Sequence, residues 1–339
     1  MSRLMTPLRI GPVQLPNRIG MPPMVRLSPH VPPEVIGETG DVTDAVVEHY
    51  RRRAAAGTGL VIVEATCVDP SGRVWKQGLN AFDPSHIPGL RALASAIATA
   101  GSVPGIQLVH GGPQADPGLF GGVTWGPSAV APSVGELEPC ELELRDILRI
   151  QGRFVEAATL AAEAGFRFIE LHAAHGYLLD SFISPIRNQR TDAFGGSLEN
   201  RMRMIVDIVL RMKVAVGERA AVGARISVFT HIADGFGEPE LVTMVRSLEQ
   251  AHSDFVDLSV DRVLRPAFGG DKSMGQLARS ATRLPVLVAG GLATPMDAER
   301  TIAEGHGDVA CIGRAMLSDP DWAKSAAAQM TSPSAADAR

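Results

Sequence analysis

The chain has 339 residues, of which 45% are hydrophobic and 20% are charged, an ordinary composition for a globular protein with a large buried core. Its formal net charge of −5 argues against a nucleic-acid surface, which normally needs a basic field. No segment approaches the ~18 consecutive apolar residues of a membrane span, and no signal peptide is recognisable at the N-terminus. Cys67, Cys140 and Cys311 are far apart and match neither a disulfide framework nor a CxxC metal or iron–sulfur site. We therefore expect a cytoplasmic protein that binds neither nucleic acid nor membrane.

Short apolar runs recur along the chain, each followed by a turn and an amphipathic segment. Runs of this kind predict strands that are buried on both faces, as in a parallel sheet. The eight runs are Arg18–Pro23, Leu60–Ala65, Gly105–Val109, Phe166–Leu171, Ala221–Ser227, Phe255–Val260, Val286–Ala289 and Val309–Ile312.

The amphipathic segments carry helix start and stop residues. Ile147, Ile150, Phe154, Ala157 and Ala161 recur at helical spacing, and Gly165 ends that segment. Two further segments begin at an N-cap residue and end near a glycine. These are Ser197 to Gly217, with the face Leu198, Met202, Ile205 and Val209, and Thr294 to Gly305, with Pro295 at the first helical position.

Eight strand–helix repeats without a break in composition favour a closed barrel over a doubly wound open sheet. We therefore predict an α/β fold, a single (β/α)8 TIM barrel over residues 1–330, with a flexible tail over 331–339. The one long insertion, Gly111–Glu141, follows the third strand and is rich in Gly and Pro. It is either a linker or, as is commoner at a barrel mouth, a lid.

Active sites of such barrels lie at the carboxyl ends of the strands, so polar residues there carry the most information. Arg225 lies inside a predicted buried strand, where an unpaired charge costs several kcal/mol, so it needs an anionic partner. A structural salt bridge to Glu64 or Glu170 is one alternative. An anionic ligand is the other.

Glycine pairs and an arginine follow the last two strands. Gly290-Gly291 and Gly313-Arg314 would expose backbone N–H groups where barrels usually bind phosphate. Tight turns also require glycine, so the pairs alone are weak evidence. Together with Arg314 they favour a phosphate site.

Two histidines and a tyrosine follow the fourth strand. His172, His175 and Tyr177 could bind a metal, hold a substrate oxygen by hydrogen bonds, or satisfy backbone groups only. Gln107 is compatible with a polar ligand edge or with the core, and His110 and His231 are interpreted as structural or rim residues.

The sequence resembles the Old Yellow Enzyme family of FMN-dependent NAD(P)H oxidoreductases nearly from end to end. Its most specific motifs are HxxHGYL at 172–178 followed by GGSLENR at 195–201. The matching segments are Pro7–Gly11, Asn17–Arg18, His49–Tyr50 through Gly59–Leu60 to Glu64–Thr66, Gln107–Gly112, Ala164–Phe166, Glu170–Phe182, Asn188–Asp192, Gly195–Arg201 and Gly313–Arg314.

The resemblance implies an ene-reductase that takes a hydride from NAD(P)H and reduces the C=C bond of a carbonyl- or nitro-conjugated alkene. His172 and His175 would bind the substrate oxygen, Tyr177 would give the proton, and Leu27 would border the substrate. The flavin ring would lie against Pro22, Pro23, Met24 and Val25, its pyrimidine edge at Ala65 and Gln107, its N1 and C2 carbonyl at Arg225, and the FMN phosphate at Gly290, Gly291, Gly313 and Arg314. The partner is a small-molecule substrate, and a homodimer or homotetramer is left open as the assembly.

The chain departs from the family at three positions. Val25 stands where members usually carry Thr or Cys, Leu27 where one branch has a substrate-binding tyrosine, and Pro113 where an arginine is usual.

Val25 and Leu27 keep a non-catalytic flavin-binding protein open as an alternative function. A zinc hydrolase using His110, His172, His175 and His231 is the other, but the first strand lacks the usual HxH pair. A flavin-dependent tRNA reductase is disfavoured by the net charge, and we expect no bound metal.

Overall fold

The computed structural model describes residues 2–29, 31–133 and 136–331. Eight parallel strands close into a barrel in which each strand pairs with its neighbours in sequence and the eighth pairs with the first. The strands are β1 (Ile19–Met21), β2 (Leu60–Cys67), β3 (Val103–Val109), β4 (Phe168–Ala173), β5 (Ala221–Ile226), β6 (Phe255–Ser259), β7 (Val286–Ala289) and β8 (Val309–Cys311). The predicted (β/α)8 barrel is confirmed.

Each barrel strand is followed by a helix that packs on the outside. The eight helices are α1 (Asp44–Ala55), α2 (Ile87–Thr99), α3 (Leu144–Ala164), α4 (Leu198–Val216), α5 (Glu238–Gln250), α6 (Met274–Ala281), α7 (Pro295–Ala303) and α8 (Trp322–Thr331). Short helices cover Pro33–Ile36, Leu178–Ile183 and Arg314–Ser318. Among the described residues, no helix combines the length and apolar character needed to cross a membrane.

The helix boundaries follow the capping residues that the sequence carries. Ser197 accepts a hydrogen bond from the backbone N–H of Asn200, and Thr294 accepts one from that of Asp297. Gly165, at φ 105°, ends α3 in the left-handed region, where glycine has no steric penalty. These three predicted boundaries are confirmed. Thr331, which we had placed in the tail, belongs to α8, and 332–339 lie outside the described residues.

The barrel interior is filled at its amino end. Phe168 of β4 and Phe255 of β6 stack with their ring centroids 4.0 Å apart. A hairpin of Leu8–Ile10 and Val13–Leu15 precedes β1 and packs its buried side chains into the same cluster. Among the described residues, the amino end of the barrel is therefore filled by side chains, and the carboxyl end is the one that carries a cavity.

The insertion follows β3 at the carboxyl end, as predicted. It contains two short strands, Trp125–Gly126 and Cys140–Glu141, which pair with each other in parallel. Pro132 lies against the turn after β4, because the Arg187 guanidinium donates to both the Pro132 and the Gly176 carbonyl oxygens. The insertion thus borders the mouth, as a lid would.

Candidate functional site

A cavity of about 660 Å³ lies at the carboxyl end of the barrel. It is bordered by residues that follow β1, β6, β7 and β8, and by Arg225 of β5. Seven residues predicted to bind a cofactor line it together: Pro22, Met24, Arg225, Gly290, Gly291, Gly313 and Arg314. Pro23, Val25, Ala65 and Gln107 do not line it.

The turn after β7 can be built only with glycine. Gly290 has φ 153° and Gly291 has φ 67°, both in the region that side-chain-bearing residues avoid. A Cβ at Gly290 would lie 1.9 Å from the Val260 carbonyl oxygen, and a Cβ at Gly313 would lie 3.0 Å from the Met24 sulfur. The backbone at both turns therefore borders the cavity without intervening side chains.

Arg225 has a partner that sequence reasoning did not name. Its Nε lies 3.7 Å from Oδ2 of Asp257, the residue opposite it in the β5–β6 register. Glu64, one of the two acids expected to pair with it, forms a buried ion pair with Arg26 at 3.0 Å instead. The Arg225 Nε has no hydrogen-bond partner among the described residues. The charge of Arg225 is thus balanced by that of Asp257, and its guanidinium can still donate a hydrogen bond.

Below Arg225 lies a pair of fully buried acids, Glu170 and Asp257. Gln107 donates from its amide nitrogen to Glu170 Oε1 at 2.7 Å, so that nitrogen faces the barrel interior. Glu170 Oε2 and both Asp257 oxygens have no donor among the described residues. Burial and the neighbouring Asp257 raise the pKa of Glu170 well above its ordinary value, although Arg225 opposes this.

His172, His175 and Tyr177 form a ring cluster at the mouth. His172 lies within β4 rather than after it, since that strand extends two residues beyond the predicted end. Its ring centroid is 5.1 Å from that of His175 and 5.0 Å from that of Tyr177, in edge-to-face contacts. The sequence motif and the fold therefore bring the three predicted side chains together.

All three ring groups are neutral at neutral pH. Burial, helped by His175 and Arg225, lowers the pKa of His172 well below its ordinary value. His175 is exposed toward a second cavity, yet burial of the rest of the ring and the charge of Arg225 lower its pKa to about 4, against a smaller effect of Asp180. Burial raises the pKa of Tyr177 to about 12.

The polar atoms of this cluster are only partly used. The His172 Nδ1 is buried without a partner among the described residues. His175 Nε2 lies 2.8 Å from the Ser259 hydroxyl, at the end of β6. Nitrogen atoms of neutral imidazoles that remain available can donate to a ligand oxygen.

The positions that depart from the family lie near the mouth. Val25 is half-buried, while Leu27 has 36% of its surface exposed. Pro113 is buried in a turn after β3, close to Gly126 of the insertion.

His110 and His231, interpreted from the sequence as structural or rim residues, both bind neighbouring polar groups. His110 Nδ1 accepts the Gly112 backbone N–H at 3.0 Å, and its Nε2 lies 3.2 Å from the Ser71 hydroxyl. His231 lies between Asp180 and Asp234. Within the described ranges, no three His, Cys, Asp or Glu side chains are grouped so as to hold a metal ion.

Sequence reasoning missed Asp257, Ser259 and Asp180. Asp257 and Ser259 alternate with apolar residues in β6, a pattern that could have indicated a polar inner face. Asp180 and His231 are 51 residues apart, and no local pattern links them. The fold and this polar mouth define the class: a (β/α)8-barrel enzyme with its site at the carboxyl ends of the strands.

Comparison with known proteins narrows the class. Residues 3–332 match the model of the NADH:flavin oxidoreductase / NADH oxidase family. The chain is 33% identical over 332 residues to an NADPH dehydrogenase of Bacillus licheniformis, covering 97% of this chain and 95% of that protein. It is 34% identical over 329 residues to an NADH oxidase of Thermoanaerobacter brockii, covering 94% of this chain but only 50% of that protein.

Two solved structures share the fold. Morphinone reductase superposes with a TM-score of 0.82 at 24% identity, over 97% of this chain and 90% of that one. An Old Yellow Enzyme homologue from Zymomonas mobilis superposes with a TM-score of 0.78 at 27% identity, over 94% of this chain and 90% of that one.

The chain belongs to the NADH:flavin oxidoreductase / NADH oxidase family, the Old Yellow Enzyme family, as its motifs predicted. It is an NAD(P)H-dependent flavin oxidoreductase that acts on small molecules.

Proposed function

We propose that the flavin is FMN and that the enzyme reduces the C=C bond of alkenes conjugated to a carbonyl or nitro group. The fit of FMN rests on three features of the mouth: the 660 Å³ cavity, the glycine turns that border it without side chains, and Arg225, whose Nε has no hydrogen-bond partner among the described residues. The bound flavin would supply hydride transfer from NAD(P)H to the alkene.

The phosphate of FMN would be held at the two glycine turns. Gly290, Gly291 and Gly313 would offer backbone N–H groups, and Arg314 a guanidinium, to its oxygens. Arg225, which lines the cavity, would offer the positive charge of its guanidinium to the pyrimidine edge of the ring, while Asp257 limits the excess charge beneath it. Pro22, Pro23, Met24 and Val25 would border the ring, with Ala65 and Gln107 at its pyrimidine edge.

His172 and His175 would bind the substrate oxygen. Since both imidazoles are neutral, each can donate one hydrogen bond to an oxygen that gains negative charge during reduction. A neutral donor does not protonate that oxygen prematurely. Tyr177 would hold its proton at neutral pH and deliver it to the substrate carbon, and Leu27 would border the substrate.

The observation that carries this function is the neutral ring cluster of His172, His175 and Tyr177 close to Arg225. A non-catalytic flavin-binding protein would have no use for a neutral hydrogen-bond pair beside a protonated phenol.

The test begins with the absorption spectrum of the purified protein and identification of the released flavin as FMN. Anaerobic addition of NADPH or NADH should then bleach the flavin absorbance, and an enone, a maleimide or a nitroalkene should restore it without oxygen. Bleaching that no activated alkene reverses would contradict alkene reduction. Absence of FMN would contradict the cofactor assignment.

A phenol such as p-hydroxybenzaldehyde provides a second readout of the histidine pair. We expect its phenolate to accept hydrogen bonds from both histidines and to produce a long-wavelength absorption band with the oxidised flavin. His172→Ala and His175→Ala should each weaken this titration strongly. Parent-like titration of both variants would contradict the assignment.

A further inference from the structure

The turn that carries His175 and Tyr177 has a left-handed backbone. His175 has φ 61° and Gly176 has φ 78°. A histidine in this region is uncommon and costs free energy, so it persists only where surrounding contacts fix it. The conformation of this turn sets the direction in which the imidazole of His175 and the phenol of Tyr177 point.

Side chains from three parts of the chain fix the backbone groups of this turn. The Gln114 amide nitrogen donates to the His175 carbonyl oxygen at 2.9 Å, and the Arg187 guanidinium donates to that of Gly176 at 3.3 Å. The Gly176 N–H donates to Asp180 Oδ2 at 2.6 Å. Asp180 is 1% exposed, and its charge-assisted hydrogen bond is the shortest of the three, so it is the strongest of these contacts.

The second oxygen of Asp180 is bound to His231. His231 Nε2 lies 2.9 Å from Asp180 Oδ1, and His231 Nδ1 lies 3.1 Å from Asp234 Oδ2. A buried carboxylate needs a counter-charge, and His231, itself 4% exposed, is the basic side chain that contacts Asp180. Burial opposes protonation of His231, but the hydrogen bonds and charges of Asp180 and Asp234 outweigh it and raise its pKa above the ordinary value.

Only a protonated imidazole can donate a hydrogen bond to both carboxylates. A neutral imidazole has one donor nitrogen and one acceptor nitrogen, so one of the two acids would face a lone pair. Loss of the proton therefore breaks or weakens one of the two contacts and removes the buried counter-charge of Asp180.

The other charged and titratable groups near this site do not supply a counter-charge to Asp180, because they bind other groups or are neutral. Arg187 and His175 line the same cavity as His231, but the Arg187 guanidinium donates to backbone carbonyl oxygens and the pKa of His175 is too low for it to be a cation. Arg201 lies over the ring of Phe236, which packs against His231, and donates to the Ile183 carbonyl oxygen.

We propose that Asp180 and His231 are positioning residues that hold the turn of His175 and Tyr177 while His231 is protonated and loosen it when His231 loses its proton. This rests on the function proposed above for His175 and Tyr177. Its direction is fixed: the turn is held at low pH, and alkene reduction declines as the pH rises through the pKa of His231.

A titration by NMR tests the link directly, on the flavin-loaded protein labelled at glycine and histidine. We expect the imidazole of His231, identified by its loss in His231→Gln, to titrate above the ordinary histidine value of ~6.5. The Gly176 amide signal should move with the same midpoint, because its acceptor is Asp180. A Gly176 amide signal whose position does not change as His231 titrates would overturn the proposal.

Asp180→Asn and Asp234→Asn form a matched pair. Each removes one negative charge from His231, but only Asp180 contacts the turn. Both should lower the midpoint of His231, whereas only Asp180→Asn should uncouple the Gly176 signal from pH. Equal effects of the two variants on Gly176 would contradict a specific role of Asp180.

Rapid-mixing kinetics of the two half-reactions complete the test. In the parent, reoxidation by an enone should decline at high pH with the midpoint of His231, while reduction by NAD(P)H should not. Asp180→Asn should slow reoxidation by roughly 10- to 100-fold, the effect of a small misplacement of a reacting group, and abolish that pH dependence. An unchanged rate and pH profile would overturn the proposal. Failure of the parent to reduce any alkene would instead contradict the proposed function, and the Gly176 titration would still decide the role of Asp180.

Discussion

Tyr177 illustrates how one side chain acquires its chemistry from its surroundings. An exposed phenol has a pKa of ~10, and burial among His172 and Trp75 raises that of Tyr177 to about 12. The hydroxyl therefore stays protonated over the whole physiological range. Its neighbours His172 and His175 are kept neutral by the same burial and by Arg225.

Tyr177→Phe removes the hydroxyl and leaves the ring in place. We expect the variant to bind flavin and to be reduced by NAD(P)H like the parent, yet to reduce an enone about 10²–10⁴-fold more slowly, the usual contribution of a general acid. Stopped-flow measurement of each half-reaction separates the two effects. Tyr50→Phe is the matched control, because Tyr50 is the only other tyrosine and its hydroxyl accepts the Glu64 N–H away from the ring cluster. Unchanged enone reduction in Tyr177→Phe would assign the proton to another donor.

The proposed site places Val25 beside the flavin, where it would offer no hydroxyl or thiol donor, whereas the family resemblance implies Thr or Cys at this position. Because one hydrogen bond contributes ~0.5–1.5 kcal/mol, Val25→Thr should raise the two-electron potential of the bound flavin by roughly 10–30 mV. Equilibrium reduction against a reference dye measures this shift. Val25→Ala controls for altered packing, since it adds no donor. A potential that does not change in Val25→Thr would mean that Val25 contributes packing only.

At the scale of the element, the βα turns determine what the barrel can hold. The turn after β7 places Gly290 against Val260, the residue that follows β6, so these two turns pack closely against each other. The turn after β8 places Gly313 against Met24, which follows β1. Contacts between turns that are remote in sequence thus shape one continuous cavity wall.

Gly290→Ala should impair cofactor binding more than folding. The added methyl group would lie 1.9 Å from the Val260 carbonyl oxygen, so the turn must shift, and both Gly290 and Val260 line the cavity. We expect the protein to purify with little flavin while keeping a cooperative unfolding transition. Gly269→Ala is the control, because Gly269 has a φ of 75° but open space around its Cβ position. It tests backbone strain without the clash, and equal flavin loss in both variants would contradict the interpretation.

At the scale of the whole molecule, buried histidines couple stability to pH. Burial is the main cause that lowers the pKa of His110 to about 4 and that of His49 to about 3. In the unfolded chain these groups take up protons near pH 6.5, whereas in the folded protein they do not. Their contribution to stability is complete above pH ~6.5 and is lost as the pH falls toward the folded-state values. Glu170 and His231 act in the opposite sense, since the pKa of each is raised.

The free energy of unfolding should therefore fall between pH 7 and pH 4.5, by up to about 1.4 kcal/mol for each unit of pKa shift per histidine. Urea unfolding followed by circular dichroism measures it. His49→Gln should flatten this dependence, because His49 is buried, its Nε2 has no partner among the described residues, and Arg53 and Arg26 further oppose its protonation. A pH dependence as steep as that of the parent would show that His49 does not contribute.

The sequence by itself determined the barrel, the helix boundaries at Ser197, Thr294 and Gly165, and the family. These features depend on local rules: apolar runs, capping residues and glycine at positive φ act within a few residues of chain. Their positions in or after the predicted strands also identified Arg225, Gly290 and Gly313, which border one cavity.

Only the tertiary structure decided which charged side chains form pairs. Arg225 pairs with Asp257 rather than Glu64 because the register of β5 and β6 places the two side by side, and register is a property of the closed sheet. Asp180 meets His231 because the loop after β5 folds over the helix that follows β4. Electrostatic interactions depend on distance in space, not on separation along the chain, so the pKa of a buried group follows from the fold and not from the motif that contains it.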